Sequence, residues 1–396
     1  MWRKTDILEA SKGTGAGDFA DMQQAFGLNY CPHGLLAKRR LRIHVRFIKC
    51  ARYDAMHIYF CHGIYAVEVF VFFRWCETQC KIDPWVGMTG YSDQWEWPAW
   101  LQRKGKAVGD LFNKTRRAAC KNAGNFKSGA SESLTTYRIL RAWAAEVVEP
   151  VAKNLGIDLK PLFSLYALCD VLDALQLAKF GGISADRLDE LIVKHLENRW
   201  AVHAAESCQM PKFHWALHLG DQYAEDGVLL DCWPTERKNA ESKTTAGLIK
   251  NTRSFEVSLL GRLLSSQLNR LTDPSKSFLD AVLQPYEQAD TLSLTQQYQI
   301  RSAIVAGKQC RCDRRKLSQG DLIKFSSGKV AFIILCYMGD EKLYGLVQHC
   351  VFVKRKDAAA TIWSVDASTY FVALQGAVQS SLIWKRQEEF INVLGY

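Results

Sequence analysis

Past residue 317 the apolar residues of this chain change period, and that change constrains the fold more than any single motif. Between 131 and 271 they recur every three to four positions, whereas in "GDLIKFSSGKVAFIILCYMGDEKLYGLVQHCVFV" (320–353) they alternate. A period of 3.6 places a stripe on a helix, and a period of two places one face of a strand inward. The chain therefore reads as α+β, a mainly α-helical body followed by a small all-β part. In the body, "LTTYRILRAWAAEVVEPV" sets Leu134, Tyr137, Leu140, Ala144 and Val147 on one face, with Ser131 and Ser133 as candidate N-caps. Gly181-Gly182 stops the next helix, and Ser184 opens another through Leu188, Leu191 and Leu196. "RSFEVSLLGRLLSSQLNRL" (253–271) is a further amphipathic helix, and residues 53–75 read as a long buried one. In the β part, Ser-Ser-Gly-Lys and Gly-Asp-Glu-Lys turns join three strands, and "TIWSV" and "YFVAL" add two more. The resulting boundaries are a flexible leader (1–25) with Gly13, Gly15 and Gly17, a mostly helical domain (26–272), a basic connector (273–316), and an antiparallel meander (317–396). The meander is expected to close as a small SH3-like β-barrel.

The 51 Lys and Arg outweigh 41 Asp and Glu, for a net charge of +10. The excess is clustered. Residues 103–127 hold Arg103, Lys104, Lys106, Lys114, Arg116, Arg117, Lys121 and Lys127 with Asp110 as the only acid, and "KQCRCDRRK" (308–316) adds Arg311, Arg314, Arg315 and Lys316. Such patches suit a polyanion, because each neutralised phosphate releases counterions; the alternative is a solvated surface. Trp95, Trp97, Trp100 and Phe112 lie near the first patch as stacking or core residues. Thirteen scattered cysteines and an N-terminus without an apolar signal core point to reduced thiols in the nucleus or cytoplasm. The longest apolar run, 63–73, is interrupted by Glu68 and too short for a bilayer, so no membrane partner is expected. No motif for a small-molecule cofactor stands out, and a homo-oligomer is left open.

Three constellations carry chemistry. His214 and His218 stand four apart, a spacing that presents two imidazoles to one metal ion, or two histidines on an ordinary helix. A closed zinc site needs two further ligands, and no CxxC occurs in the chain; Cys76-x3-Cys80 and Cys310-x-Cys312 come nearest. Glu236, followed by Arg237 and Lys238, is either a carboxylate for Mg²⁺ beside phosphate-binding bases, or the first turn of a helix capped by Thr235. Asp54 and His57 precede the buried segment, where Asp54 reads as a helix cap with His57 on the same face.

Together these blocks resemble a known family. "GLNYCPHGLLAKRRLR…CARYDAMHIYFCHGIY" is similar to the D-x-M-H segment of CACTA-like and related DDE cut-and-paste DNA transposases. "MPKFHWALHL…G…CWPTERKN" is similar to their later block with M-x-x-H-x-x-x-H-L, a Gly, a Trp and Glu-Arg. The resemblance covers about 26–271 and implies a ribonuclease-H-like core interrupted by helices. It further implies Mg²⁺ or Mn²⁺ held by two aspartates and a glutamate, and Zn²⁺ held by a CxxC with the paired histidines. Carried over by position, His214 and His218 match the zinc histidines, Glu236 the third acid, and Asp54, Met56 and His57 the D-x-M-H motif. The family's aspartate pair and CxxC precede that motif, and the 53 residues before Asp54 hold no such set. One carboxylate cannot hold two Mg²⁺ ions. The expectation is a DNA-binding, catalytically incomplete transposase remnant. The alternatives are an active metal-dependent nuclease in which Asp54 and Glu236 meet, and a helical interaction scaffold whose SH3-like domain binds a partner chain.

Overall fold

The computed structural model describes residues 52–98, 110–179, 181–203, 210–229, 232, 242–249, 254–272, 282–284, 287–288, 292–312, 315–356 and 360–394. The architecture is α+β, and the described strands all lie between 282 and 394. The chain divides into two units: one of residues 1–59 and 170–231, the other of residues 60–169 and 232–396. The stretch 26–272 is thus shared between two units.

The helices of the described body are α1 (Ala55–Tyr59), α2 (Ile64–Trp75), α3 (Pro84–Ser92), α4 (Lys114–Ala123), α5 (Ala130–Trp143), α6 (Glu149–Asn154), α7 (Lys160–Ala178), α8 (Ala185–His203), α9 (Pro211–Ala216), α10 (Leu219–Asp226) and α11 (Phe255–Thr272). α2 runs on into a π-turn over Cys76–Cys80 that ends at left-handed Lys81, and α5 runs on into a second over Ala144–Val148. Asp83 starts α3 by accepting from the Trp85 and Val86 amides, with Pro84 in the first turn where a missing N–H costs nothing. α5 starts two and four residues earlier than serine caps at 131 and 133 would put it. Gly129 is its N-cap, and the Glu132 carboxylate accepts from the Gly129 amide at 2.7 Å. Ser133 is instead buried inside the helix, bonded to Ser128. Gly181 (φ 67°) and the Ser184 hydroxyl end α7 and start α8 as the spacing predicts.

In the unit of 60–169 and 232–396 the helical core is aromatic. Phe72 and Phe73 of α2, Trp85 of α3, Phe112, Phe126 and Trp143 of α5 form one set of ring contacts 5–7 Å apart. Glu68, 2 % exposed, accepts the Ser164 hydroxyl at 2.5 Å, so the one acid in the apolar run is satisfied inside the core. The stretches Ala55–Cys80 and Lys160–Ala178 have the length and mean hydropathy of membrane spans, and 72 % and 61 % of an apolar 18-residue window in each is buried within the protein.

The C-terminal part holds β1 (Val282–Gln284), β2 (Glu287–Gln288), β3 (Val305–Gly307), β4 (Gln309–Cys312), β5 (Arg315–Ser318), β6 (Leu322–Phe325), β7 (Val330–Gly339), β8 (Lys342–Arg355), β9 (Ala360–Ala373), β10 (Val378–Ser381), β11 (Ile383–Gln387) and β12 (Phe390–Leu394). The main sheet runs β10-β6-β7-β8-β9-β12-β11, every pair antiparallel, with β3 also on β7. The β7–β8 turn is a two-residue loop with Asp340 and Glu341 at φ 49° and 61°, as tight hairpins require. Three strands, β1, β4 and β5, form a second small sheet that lies mostly in 273–316, the stretch read as a connector, and ends at Ser318. Their Leu283, Cys310, Cys312 and Leu317 share a core with Ile323, Ile333, Cys336 and Val347 of the main sheet.

The expected SH3-like barrel is not formed: β10 and β11 are the two ends of an open sheet. At the β11 end, Glu96 of the helical body takes the place of a closing strand. Its amide donates to the Trp384 carbonyl at 2.7 Å, and the Trp384 amide donates back at 3.2 Å. This single bridge occupies the β11 edge at Trp384.

Candidate functional site

The unit of residues 1–59 and 170–231 brings the two motif blocks onto one another. Asp54 starts α1. Its Oδ1 accepts from the Met56 amide at 3.0 Å and its backbone carbonyl from the Ile58 amide at 3.0 Å. The other carboxylate oxygen bonds Nδ1 of His57, one turn on. Asp54 therefore caps the helix and holds His57 through Nδ1.

The later block folds as α9, a turn at Leu217–His218, and α10. The helix breaks between the two histidines, yet Nε2 of His218 lies 3.2 Å from Nε2 of His214 with the rings at 87°. His218 stacks on Tyr53 at 5.2 Å and 13°, and Trp215 stacks on the same ring at 6.0 Å. Gln222 completes the junction across 169 positions of sequence. Its Oε1 accepts from the Tyr53 amide at 2.7 Å and its Nε2 donates to the Tyr53 carbonyl at 3.0 Å. Arg52 adds a two-pronged ion pair to Asp226, at 2.8 and 3.0 Å, and reaches Glu225 at 3.2 Å. Tyr53, Gln222, Arg52 and Asp226 were not among the expected site residues; the only signal is that Tyr53 directly precedes the D-x-M-H motif.

Gly220, beside the second histidine, has a steric reason to be glycine. A Cβ there would come 2.7 Å from Cγ and 2.9 Å from Cβ of Asp189 on α8. Burial, with Asp221 and Asp186 adding to it, raises the Asp189 carboxyl above its ordinary value. Gly220→Ala is expected to destabilise this unit by about 1–3 kcal/mol, the usual cost of forcing an atom into a filled contact. Chemical denaturation of the variant measures it, and an unchanged midpoint refutes the tight packing of α8 on α10.

Two tetrahedral zinc ligands at ~2.0–2.1 Å have nitrogens roughly 3.3 Å apart, so His214 and His218 have the separation of a chelating pair. They are half of a site. Among the described residues, no third His, Cys, Asp or Glu joins them closely enough to hold an ion. The described ligand set therefore does not fit the closed four-ligand zinc centre that the resemblance implies.

The remaining expected residues divide by position. Glu236, Arg237, Lys238, Arg103, Lys104, Lys106 and Arg314 lie outside the described residues. α4 carries Lys114, Arg116, Arg117 and Lys121, and three of the four are engaged within the fold. Arg117 bonds Glu77 at 2.6 Å and Asp83 at 2.8 Å, Lys121 lies 3.7 Å from Glu77, and Arg116 donates to the Lys127 carbonyl and approaches Glu132. Lys114 is exposed. In the β4–β5 ladder Cys310, Cys312 and Leu317 point inward while Arg311 and Lys316 face each other directly; Arg315 follows in register opposite Cys312.

Compared with protein-family models, curated proteins and solved structures, the chain matches none of them.

Proposed function

We propose that this chain is a DNA-binding protein derived from a DDE transposase, with an incomplete catalytic centre. The observation that carries the reading is the meeting of the two family-like blocks: Tyr53, next to the D-x-M-H motif, stacks on His218 of the H-x3-H motif and pairs with Gln222. Under this reading the helices between the blocks are the insertion of a ribonuclease-H-like core. The engagement of both Asp54 oxygens, by the Met56 amide and His57, suits a structural cap better than a metal ligand. His214 and His218 are the residue of a zinc site and bind Zn²⁺ weakly, as a two-nitrogen chelate.

DNA contact is assigned to the β4–β5 ladder through Arg311 and Lys316, with Lys114 as a second contact. Arg311 and Lys316 oppose each other on the face of this ladder away from Cys310, Cys312 and Leu317, where a basic pair can meet the phosphate backbone. Fluorescence anisotropy with a duplex of about 25 base pairs tests it. Binding is expected to weaken steeply with salt, and Arg311→Glu with Lys316→Glu is expected to weaken it at least about tenfold and to reduce the salt slope by about 2. Affinity that stays flat with salt refutes DNA binding. Cleavage or joining of DNA ends with Mg²⁺ or Mn²⁺, abolished by Glu236→Gln, refutes the incomplete centre.

A further inference from the structure

Helix α11 is apolar on two opposite faces. On one side Phe255, Leu259 and Leu263 are half-buried; on the other Val257, Leu260, Leu264 and Leu268 are 75, 66, 58 and 50 % exposed. Spacings of three, four and four keep the second set in one stripe along the helix. No residue of α11 whose exposure is described is buried. Single exposed leucines are ordinary on a protein surface, but four large apolar side chains in line on one helix are a contact surface.

Two features of the stripe fit a copy of itself. No charge interrupts it, since Glu256 and Arg262 both lie off it. Gly261 lies beside it near the middle, where a Cβ would meet nothing within 4 Å, so a second helix backbone can approach closely. A twofold axis near that glycine sets Leu260 of one helix against Leu264 of the other, the self-matching arrangement of an isologous contact. The helix is 18 residues long. At 1.5 Å per residue it spans about 27 Å. Two such helices packed along their length bury on the order of 1,000 Å², the lower bound for a specific interface.

We infer that a second copy of this chain packs its α11 antiparallel on the Val257–Leu260–Leu264–Leu268 stripe, making the protein a dimer of moderate affinity. The inference is independent of the DNA-binding reading.

Sedimentation velocity of the full chain from about 1 to about 100 μM tests it, a range that brackets the affinity such an interface gives. The wild type is expected to pass from monomer to dimer. Leu264→Glu is expected to stay monomeric throughout with an unchanged circular-dichroism spectrum. Val351→Glu, at a similarly exposed position on β8, is expected to dimerise like the wild type. Should Leu264→Glu misfold, Gly261→Leu keeps the stripe apolar while blocking close approach, and is expected to weaken dimerisation at least about tenfold. The inference is overturned by a wild type that remains monomeric at every concentration, or by Leu264→Glu dimerising as the wild type does. A monomeric wild type whose melting temperature falls on Leu264→Glu also overturns it, because the stripe is then covered by the chain's own residues.

Discussion

Replacing Trp143 with alanine is expected to cost the unit of residues 60–169 and 232–396 about 3–5 kcal/mol, enough to unfold many domains of ordinary stability. The indole is 1 % exposed and sits where α5 meets α2 and α3. Phe72 and Phe73 meet it edge-on, with centroids at 6.4 and 6.3 Å and planes at 85° and 70°. On another side it lies against the backbone of Gly87, whose missing Cβ would be only 3.1 Å from Cζ2. Truncation would therefore remove a large buried area, two ring contacts and the surface that α3 packs on. The surrounding rings are themselves fixed by Trp85, Phe112 and Phe126, which limits collapse into the hole. Trp143→Phe keeps part of the volume and is expected to lose less than half as much. Urea denaturation followed by circular dichroism decides the matter, and a Trp143→Ala midpoint equal to the wild type's would remove this core from the account.

The parts of this architecture that were legible in the sequence are those fixed by near neighbours. The change from helical to alternating period marks the strands β6 to β9 but misses β1 to β4, which precede it. The Asp340–Glu341 turn and the Gly181 stop follow from residues that tolerate φ > 0 or terminate a helix. Asp54 as a cap for α1, with His57 on the same face, follows from a spacing of three. The β4–β5 ribbon was legible only as charge. Its inward residues are Cys310, Cys312 and Leu317, and a cysteine serves as a small apolar side chain, so the alternation was present beneath the arginines. The cap of α5 was misplaced because Glu132 reaching back to the Gly129 amide is a stronger start than a serine one residue in. Barrel closure and the Tyr53–His218 contact were not legible at all. Each depends on partners far along the chain, Glu96 on Trp384 and Tyr53 on Gln222, and no local period encodes a pairing of that range.

The second large effect belongs to Glu146, the residue that ties the helical body to the sheet in the same unit. The π-turn at Ala144–Val148 presents its carboxylate to two lysines, Lys356 just after β8 and Lys385 of β11. Lys356 donates at 3.0 Å and Lys385 at 2.7 Å, with the Glu146 and Lys385 side chains 16 % and 12 % exposed. Lys385 also lies 4.9 and 4.8 Å above the rings of Tyr91 and Trp95, so one ammonium joins α3, the π-turn and β11. Burial by itself raises the Glu146 carboxyl; the hydrogen bonds and charges of Lys385 and Lys356 overcome it and hold the group below the ordinary carboxylate range. A carboxyl depressed in the folded state stabilises above its unfolded value and loses that contribution as pH falls through the folded one. Glu146→Gln is accordingly expected to cost about 2–3 kcal/mol at neutral pH, where two partly buried ammonium groups lose their counter-charge. The gap to wild type should hold above about pH 5 and narrow progressively below about pH 4, because glutamine does not titrate and the wild-type carboxylate becomes protonated there. Thermal melts of the two proteins across that range measure the gap. A difference that stays constant down to acid pH would mean that shape rather than charge carries the contact.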